Sequence, residues 1–316
     1  MKIKDIEFES TEHVMQEIEN MNVKGGSPFG RAAAWAYKLA LKKEDIGDLE
    51  ELKKRISIIA NQLSEYKPTM ATIANTSKLI KDFTNAHSED NFEELKAGVI
   101  SLCDKIIDQS YKAVEKIAEF GSNRINDGDI IMMHSYSSTL MSIFIQAKNE
   151  GKDFEMICTE SRPLRESRNA IKIFQQLEIP VTFVTDASAF EIMPKCDYII
   201  MGADSIDVDG SVANKMGTAQ IATLAKHCKK DVYIASELFK LDLRTRDGYQ
   251  IELEKRDKYE VINKDDFETL DGLDVVNQFF DITPSSNIKA VITESGFLHP
   301  SQIAPYWEIM VDNLEK

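Results

Sequence analysis

Asp204 and Glu237 each stand close behind a short apolar run, Tyr198 to Met201 and Val232 to Ala235. Between them lie Asn214, Lys215, Gly217 and Thr218, and Lys240 follows just after. A carboxyl group close behind a buried strand suits acid and base work, because desolvation raises its pKa toward neutrality. Lysine ammonium groups and the free N–H groups of a helix start suit phosphate oxygens. The combination predicts a site for a small phosphorylated molecule, with Asp204 as the acid/base candidate.

Other polar groups gather at similar junctions. Met133-His134-Ser135-Tyr136-Ser137-Ser138 follows the apolar stretch 129–133, Thr159-Glu160-Ser161-Arg162-Pro163 follows 154–159, and Asp186 follows 181–184. Arg162 has the planar guanidinium that holds two phosphate oxygens at once. Plainer roles stay open for several of these. Ser137, Ser138 and Asp186 fit helix N-caps, His134 a satisfied core histidine, Gly217 helix packing, and Arg165 and Arg168 solvated helix positions.

These junctions need elements that bring them together. From Gly121 onward, short β-rich runs alternate with helical ones: 129–133, 138–149, 154–159, 168–177 and 181–184, then 198–201, a helix opened by Asn214 to Thr218, and 232–235. Such alternation means a parallel sheet covered by helices, and strands of one parallel sheet share their carboxyl ends. A polar portion at 242–285 precedes a last strand, Ala290 to Thr293, and turns at Ser295-Gly296 and His299-Pro300. From Thr11 to about Ala118 the apolar spacing is helical, with an alanine-rich stretch at 28–42 and a break at Lys67-Pro68. The expected fold class is α/β, a helical domain over 1–120 and a parallel-sheet domain over 121–316.

Composition narrows the partners. Lys plus Arg is 38 against 53 for Asp plus Glu, a net charge of −15. That surface argues against direct nucleic-acid binding but leaves a protein partner open. No run of about 18 uncharged apolar residues is present, and the charged N-terminus lacks a signal-peptide core, so a cytoplasmic protein without a membrane span is expected. Cys103, Cys158, Cys196 and Cys228 lie far apart, which argues for packing roles rather than disulfides or zinc. No metal or cofactor is expected.

The segments GADSIDVDGSVANKMGTAQIA, TESRP, MMHSYSS and SELFK, with Lys24-Gly25-Gly26-Ser27 and Lys67-Pro68 in the helical half, together resemble the initiation factor 2B alpha/beta/delta family. The resemblance spans nearly the whole chain and is strongest to archaeal members. The family includes regulatory subunits of translation initiation factor 2B, ribose-1,5-bisphosphate isomerase and methylthioribose-1-phosphate isomerase. It implies a Rossmann-like second domain, a homodimer or higher homo-oligomer, and a pocket for a phosphorylated sugar or nucleotide. Carried over position by position, Asp204 matches the isomerases' aspartate, while Ser135 stands where they carry a cysteine. His134 and Ser137 flank that position. Lys24 and Lys67 replace two arginines. Arg162 and Pro163 match the phosphate-binding motif, but Glu166 and Ser167 replace its glutamine and glycine. Asn214, Lys215, Gly217, Thr218 and Lys240 match.

A serine hydroxyl lacks the easy ionisation of a thiol and needs a base beside it. The expected function is therefore a regulatory factor-2B-like protein that keeps a sugar-phosphate or nucleotide pocket formed by Lys24, Gly25, Gly26, Ser27, Lys67, His134, Ser137, Arg162, Asn214, Lys215 and Lys240. Translation initiation factor 2 is then a further partner. The alternative is a ribose-1,5-bisphosphate type of aldose–ketose isomerase, with Asp204 as base and Ser135 or a water in the thiol's place. A third possibility is a scaffold subunit with a vestigial pocket.

Overall fold

The computed structural model describes residues 5–87 and 91–315; the first four residues of the charged N-terminal stretch lie outside them. Five helices come first: α1 (Thr11–Glu19), α2 (Gly26–Lys43), α3 (Leu49–Tyr66), α4 (Ala71–Ala86) and α5 (Phe92–Arg124). Ser10, Asp48 and Asn91 cap α1, α3 and α5 by accepting a backbone N–H three residues on. The chain then runs β1 (Ile130–Met133), α6 (Ser138–Asn149), β2 (Glu155–Thr159), α7 (Ser167–Gln176), β3 (Val181–Val184), α8 (Ala189–Ile192) and β4 (Tyr198–Gly202). It continues through β5 (Ser205–Ile206), β6 (Val212–Lys215), α9 (Thr218–His227), β7 (Asp231–Ala235), β8 (Phe280–Thr283), β9 (Ala290–Thr293), β10 (Gly296–Leu298) and α10 (Ile303–Glu315).

The main sheet has the order β10-β9-β7-β4-β1-β2-β3, parallel except for the β9–β10 hairpin. Alternate residues of each strand serve opposite faces. Ile131 and Met133 join a core with Phe144 of α6 and Phe174 of α7, whereas Met132 joins the core that holds α9 and the N-terminal helices. Both faces are covered, which is why β1 reads as an unbroken apolar run. From β1 the chain steps through β2 to β3 on one side, then returns to β4 and steps through β7 to β9 on the other. The β1–β4 boundary is thus the topological switch point, where the carboxyl ends open a crevice.

One expectation is corrected here. Asn214 and Lys215 do not open a helix: they end β6, in a small antiparallel sheet of order β5-β6-β8, and the helix begins at Thr218. Lys215 pairs with Phe280, 65 positions along the chain, a contact that local periodicity does not signal. Beyond the turn at His299-Pro300 the chain forms α10, whose Trp307, Met310 and Leu314 are buried.

Candidate active site at the switch point

Ser135 follows β1 and Asp204 follows β4, so the two flank the crevice. Ser135 sits in the left-handed region at φ 67. Its backbone N–H donates to the Ser161 hydroxyl at 2.7 Å, and its carbonyl accepts from the Ser167 hydroxyl at 3.3 Å. These contacts offset the strain of a non-glycine residue in that conformation. The Ser135 Oγ donates to Glu166 Oε2 at 3.1 Å. The same carboxylate oxygen lies 2.9 Å from Lys215 Nζ. Lys215 is 3% exposed, with its ammonium 2.9 Å from the centroid of the Phe279 ring, over which Arg256 also lies. Its Nζ has no aligned hydrogen bond, so the Glu166 ion pair and the ring are what hold the charge.

Asp204 is half-buried, and its carboxylate accepts no hydrogen bond from the described residues. Burial pushes its pKa up to about 6, with Lys240 and Lys215 pulling it down and Glu166 and Glu254 adding to the rise. Lys240 is 1% exposed and donates to the Ala203 carbonyl at 2.7 Å. Burial draws both lysines below the usual lysine value, opposed by Glu166 at Lys215 and by Glu237 and Asp204 at Lys240. Behind Lys240, Glu294 is raised to about 8, first by burial and then by the charge of Glu237. The helical half closes over this cluster at Gly26. A Cβ there would stand 3.0 Å from Lys240 Cε and 3.4 Å from the Asp204 carbonyl oxygen, tighter than ordinary contact.

The remaining candidates divide by position. His134 is 2% exposed and serves the scaffold: Nε2 faces the Met216 carbonyl at 2.8 Å, which makes it the protonated nitrogen, and Nδ1 meets the Thr159 hydroxyl at 2.6 Å. Burial lowers its pKa. Ser137 caps α6 by accepting the Leu140 N–H, and Ser27 meets the Thr139 hydroxyl, tying α2 to α6. Asn214 donates to Thr218 Oγ1 at 2.9 Å. Asp186 accepts the Ser161 and Arg162 backbone N–H groups and so shapes the loop after β2 rather than capping a helix. Arg162 donates to the Val261 carbonyl at 2.8 Å, away from the lysine cluster. Lys67, buried, pairs with Glu254 at 3.8 Å. Lys24 is exposed, and Gly25, with φ 95, immediately precedes α2; with Tyr136, Glu166 and Asn169 they line a mouth of about 130 Å³.

Three participants escaped the sequence reading. Glu254, Arg256 and Phe279 come from the polar portion 242–285, which carries little regular structure and no periodic signal. Among the described residues no cluster of three or more His, Cys, Asp or Glu side chains is arranged to hold a metal, and no helix is long and apolar enough to cross a membrane.

A family model described as the initiation factor 2 subunit family matches residues 22–300. The chain is 36% identical over 290 residues to a ribose 1,5-bisphosphate isomerase of Thermococcus kodakarensis, covering 91% of this chain and 90% of that one. It is 35% identical over 301 residues to a protein of the same name from Methanocaldococcus jannaschii, covering 95% of each. Among solved structures, translation initiation factor eIF-2B of Pyrococcus horikoshii OT3 superposes with a TM-score of 0.79 at 26% identity, covering 92% of this chain and 98% of that one.

Proposed function

The chain belongs to the initiation factor 2 subunit family, and we propose that it is a sugar-phosphate isomerase acting on a ribose 1,5-bisphosphate type of substrate. The observation that carries this reading is the Asp204 carboxyl, free of hydrogen bonds at the switch point, charge-coupled to Lys240 and Lys215, with its pKa near 6. In a furanose 1-phosphate, C1 bears both the phosphate and the ring oxygen. Conversion to the ketose breaks the bond from C1 to the ring oxygen and carries hydrogen from C2 to C1. The departing ring oxygen gains a proton and the C2 hydroxyl loses one. A carboxyl that titrates near neutrality is present in both forms, so Asp204 is able to give the first proton and accept the second. The names of the relatives supply the substrate class. Lys24 at the mouth and the buried Lys215 and Lys240 beside Asp204 supply positive charge for the phosphates. The mouth, about 130 Å³, is smaller than the roughly 300–1,000 Å³ of ordinary ligand sites.

The second reading is a regulatory protein that binds such a ligand without turning it over. Ser135, standing where the isomerases carry a cysteine, favours it. Turnover of ribose 1,5-bisphosphate by the purified protein decides between them, with Asp204→Asn as control. Turnover abolished by that substitution supports the enzyme. Tight binding with no turnover sinks it and supports the regulator.

A further inference from the structure

By the family resemblance, Ser135 stands in place of a cysteine and Glu166 in place of a glutamine. The two altered residues touch. Glu166 Oε2 accepts the Ser135 hydroxyl at 3.1 Å and lies 2.9 Å from Lys215 Nζ, a buried ammonium with no other ion-pair partner among the described residues. Glu166 is the first residue before α7 and also lines the mouth of the crevice, so one carboxylate connects the outside of the site to its buried cation.

We infer that Glu166 is a positioning residue, one that aims the Ser135 hydroxyl and holds Lys215 as its own counter-ion rather than that of Asp204. This deepens the isomerase reading and rests on it for the role of Ser135. With its proton directed at Glu166, the Ser135 oxygen turns its lone pairs elsewhere, toward the crevice that Asp204 also borders. A thiol at this position would do badly beside Glu166, because a neighbouring carboxylate opposes thiolate formation. Serine with glutamate and cysteine with glutamine are thus two internally consistent pairs. Charge around Asp204 follows from the same contact. The charged groups facing it are Lys240 after β7, Lys215 of β6, Glu166 before α7 and Glu254 of the irregular segment. Those facing Glu166 are Lys215, Arg256 and the buried ring of His134. Removing the negative charge of Glu166 leaves Lys215 to pair with Asp204 and makes the Asp204 carboxylate easier to form.

The test uses the full chain with E166Q, E166D, S135C and the S135C/E166Q double variant, each with and without D204N. The first readout needs no substrate: the difference in melting temperature between each chain and its D204N counterpart, followed from pH 4.5 to 8. The pH at which this difference levels off reports the folded-state titration of Asp204. It is expected to move down by roughly half a unit or more in E166Q and to stay within a few tenths of the parent in E166D. A level-off that E166Q does not move, or moves upward, overturns the inference. The second readout is kcat/KM for ribose 1,5-bisphosphate. It is expected to fall about tenfold in E166Q, and S135C is expected to gain about tenfold more in the E166Q chain than in the parent. Equal effects of S135C in both chains overturn the coupling of the two positions. If neither the parent nor any variant turns the substrate over, the isomerase reading has failed, and the melting readout alone decides what Glu166 does.

Discussion

The Asp281 carboxylate on β8 accepts the Gly217 backbone N–H at 2.7 Å and the Ala219 N–H at 3.2 Å, filling the start of α9 from within the protein. The helix terminus that the segment Asn214 to Thr218 seemed to hold ready for a phosphate already has its anion. Under the proposed function, phosphate recognition would fall to side chains rather than to this helix. Asp281→Ala should cost about 1–2 kcal/mol, as the loss of a helix cap does, and denaturant unfolding of the variant measures it. A variant as stable as the parent would show that the contact contributes nothing.

Asp204→Asn should change the pH dependence of stability in one direction only. The folded carboxyl titrates near 6, above its ordinary 3.8, so between those values the folded chain binds more protons than the unfolded one. Stability then falls as pH rises through that window and is level above it. Asparagine removes the effect, so the variant should gain on the parent from pH 4 to 6 and keep the gain at pH 8, on the order of 3 kcal/mol. Melting curves at three pH values check this.

Lys240→Met should push Asp204 the other way. Lys240 Nζ, bonded to the Ala203 carbonyl, is the largest influence that holds the Asp204 pKa down. Without it the carboxyl titrates at higher pH, and the acid limb of kcat/KM moves up by about a unit. A limb that stays in place would mean that some group other than Asp204 sets it.

Gly217→Ala should unfold the join between β6 and α9. At φ 105 the residue lies where L side chains are strained, and its Cβ would stand 2.9 Å from the ring of His134. The His134 ring is fixed at both nitrogens and has little room to yield. A loss of about 2–4 kcal/mol is expected, from strain and overpacking together. Thermal unfolding with near-parental stability would show that the loop re-forms easily.

Much of this protein was legible in its residues alone. Apolar spacing at three and four positions marked the N-terminal helices, and apolar runs such as 129–133 and 198–201 marked strands covered on both faces. Alternation of strand and helix placed His134, Ser135, Arg162 and Asp204 at one end of a parallel sheet, because each lies just past a strand. Those inferences rest on patterns within about a dozen residues, where backbone geometry and turn chemistry are local. The tertiary structure decided what depends on distant partners. It made Asn214 and Lys215 the end of a strand, since β6 pairs with β8 across the chain. It turned His134 and Ser137 into scaffold and filled the start of α9 with Asp281. It also placed Glu166 against both Ser135 and Lys215. A charge reads the same in any sequence, but whether it opposes a ligand or holds a neighbouring group depends on what the folded chain brings within 3 Å of it.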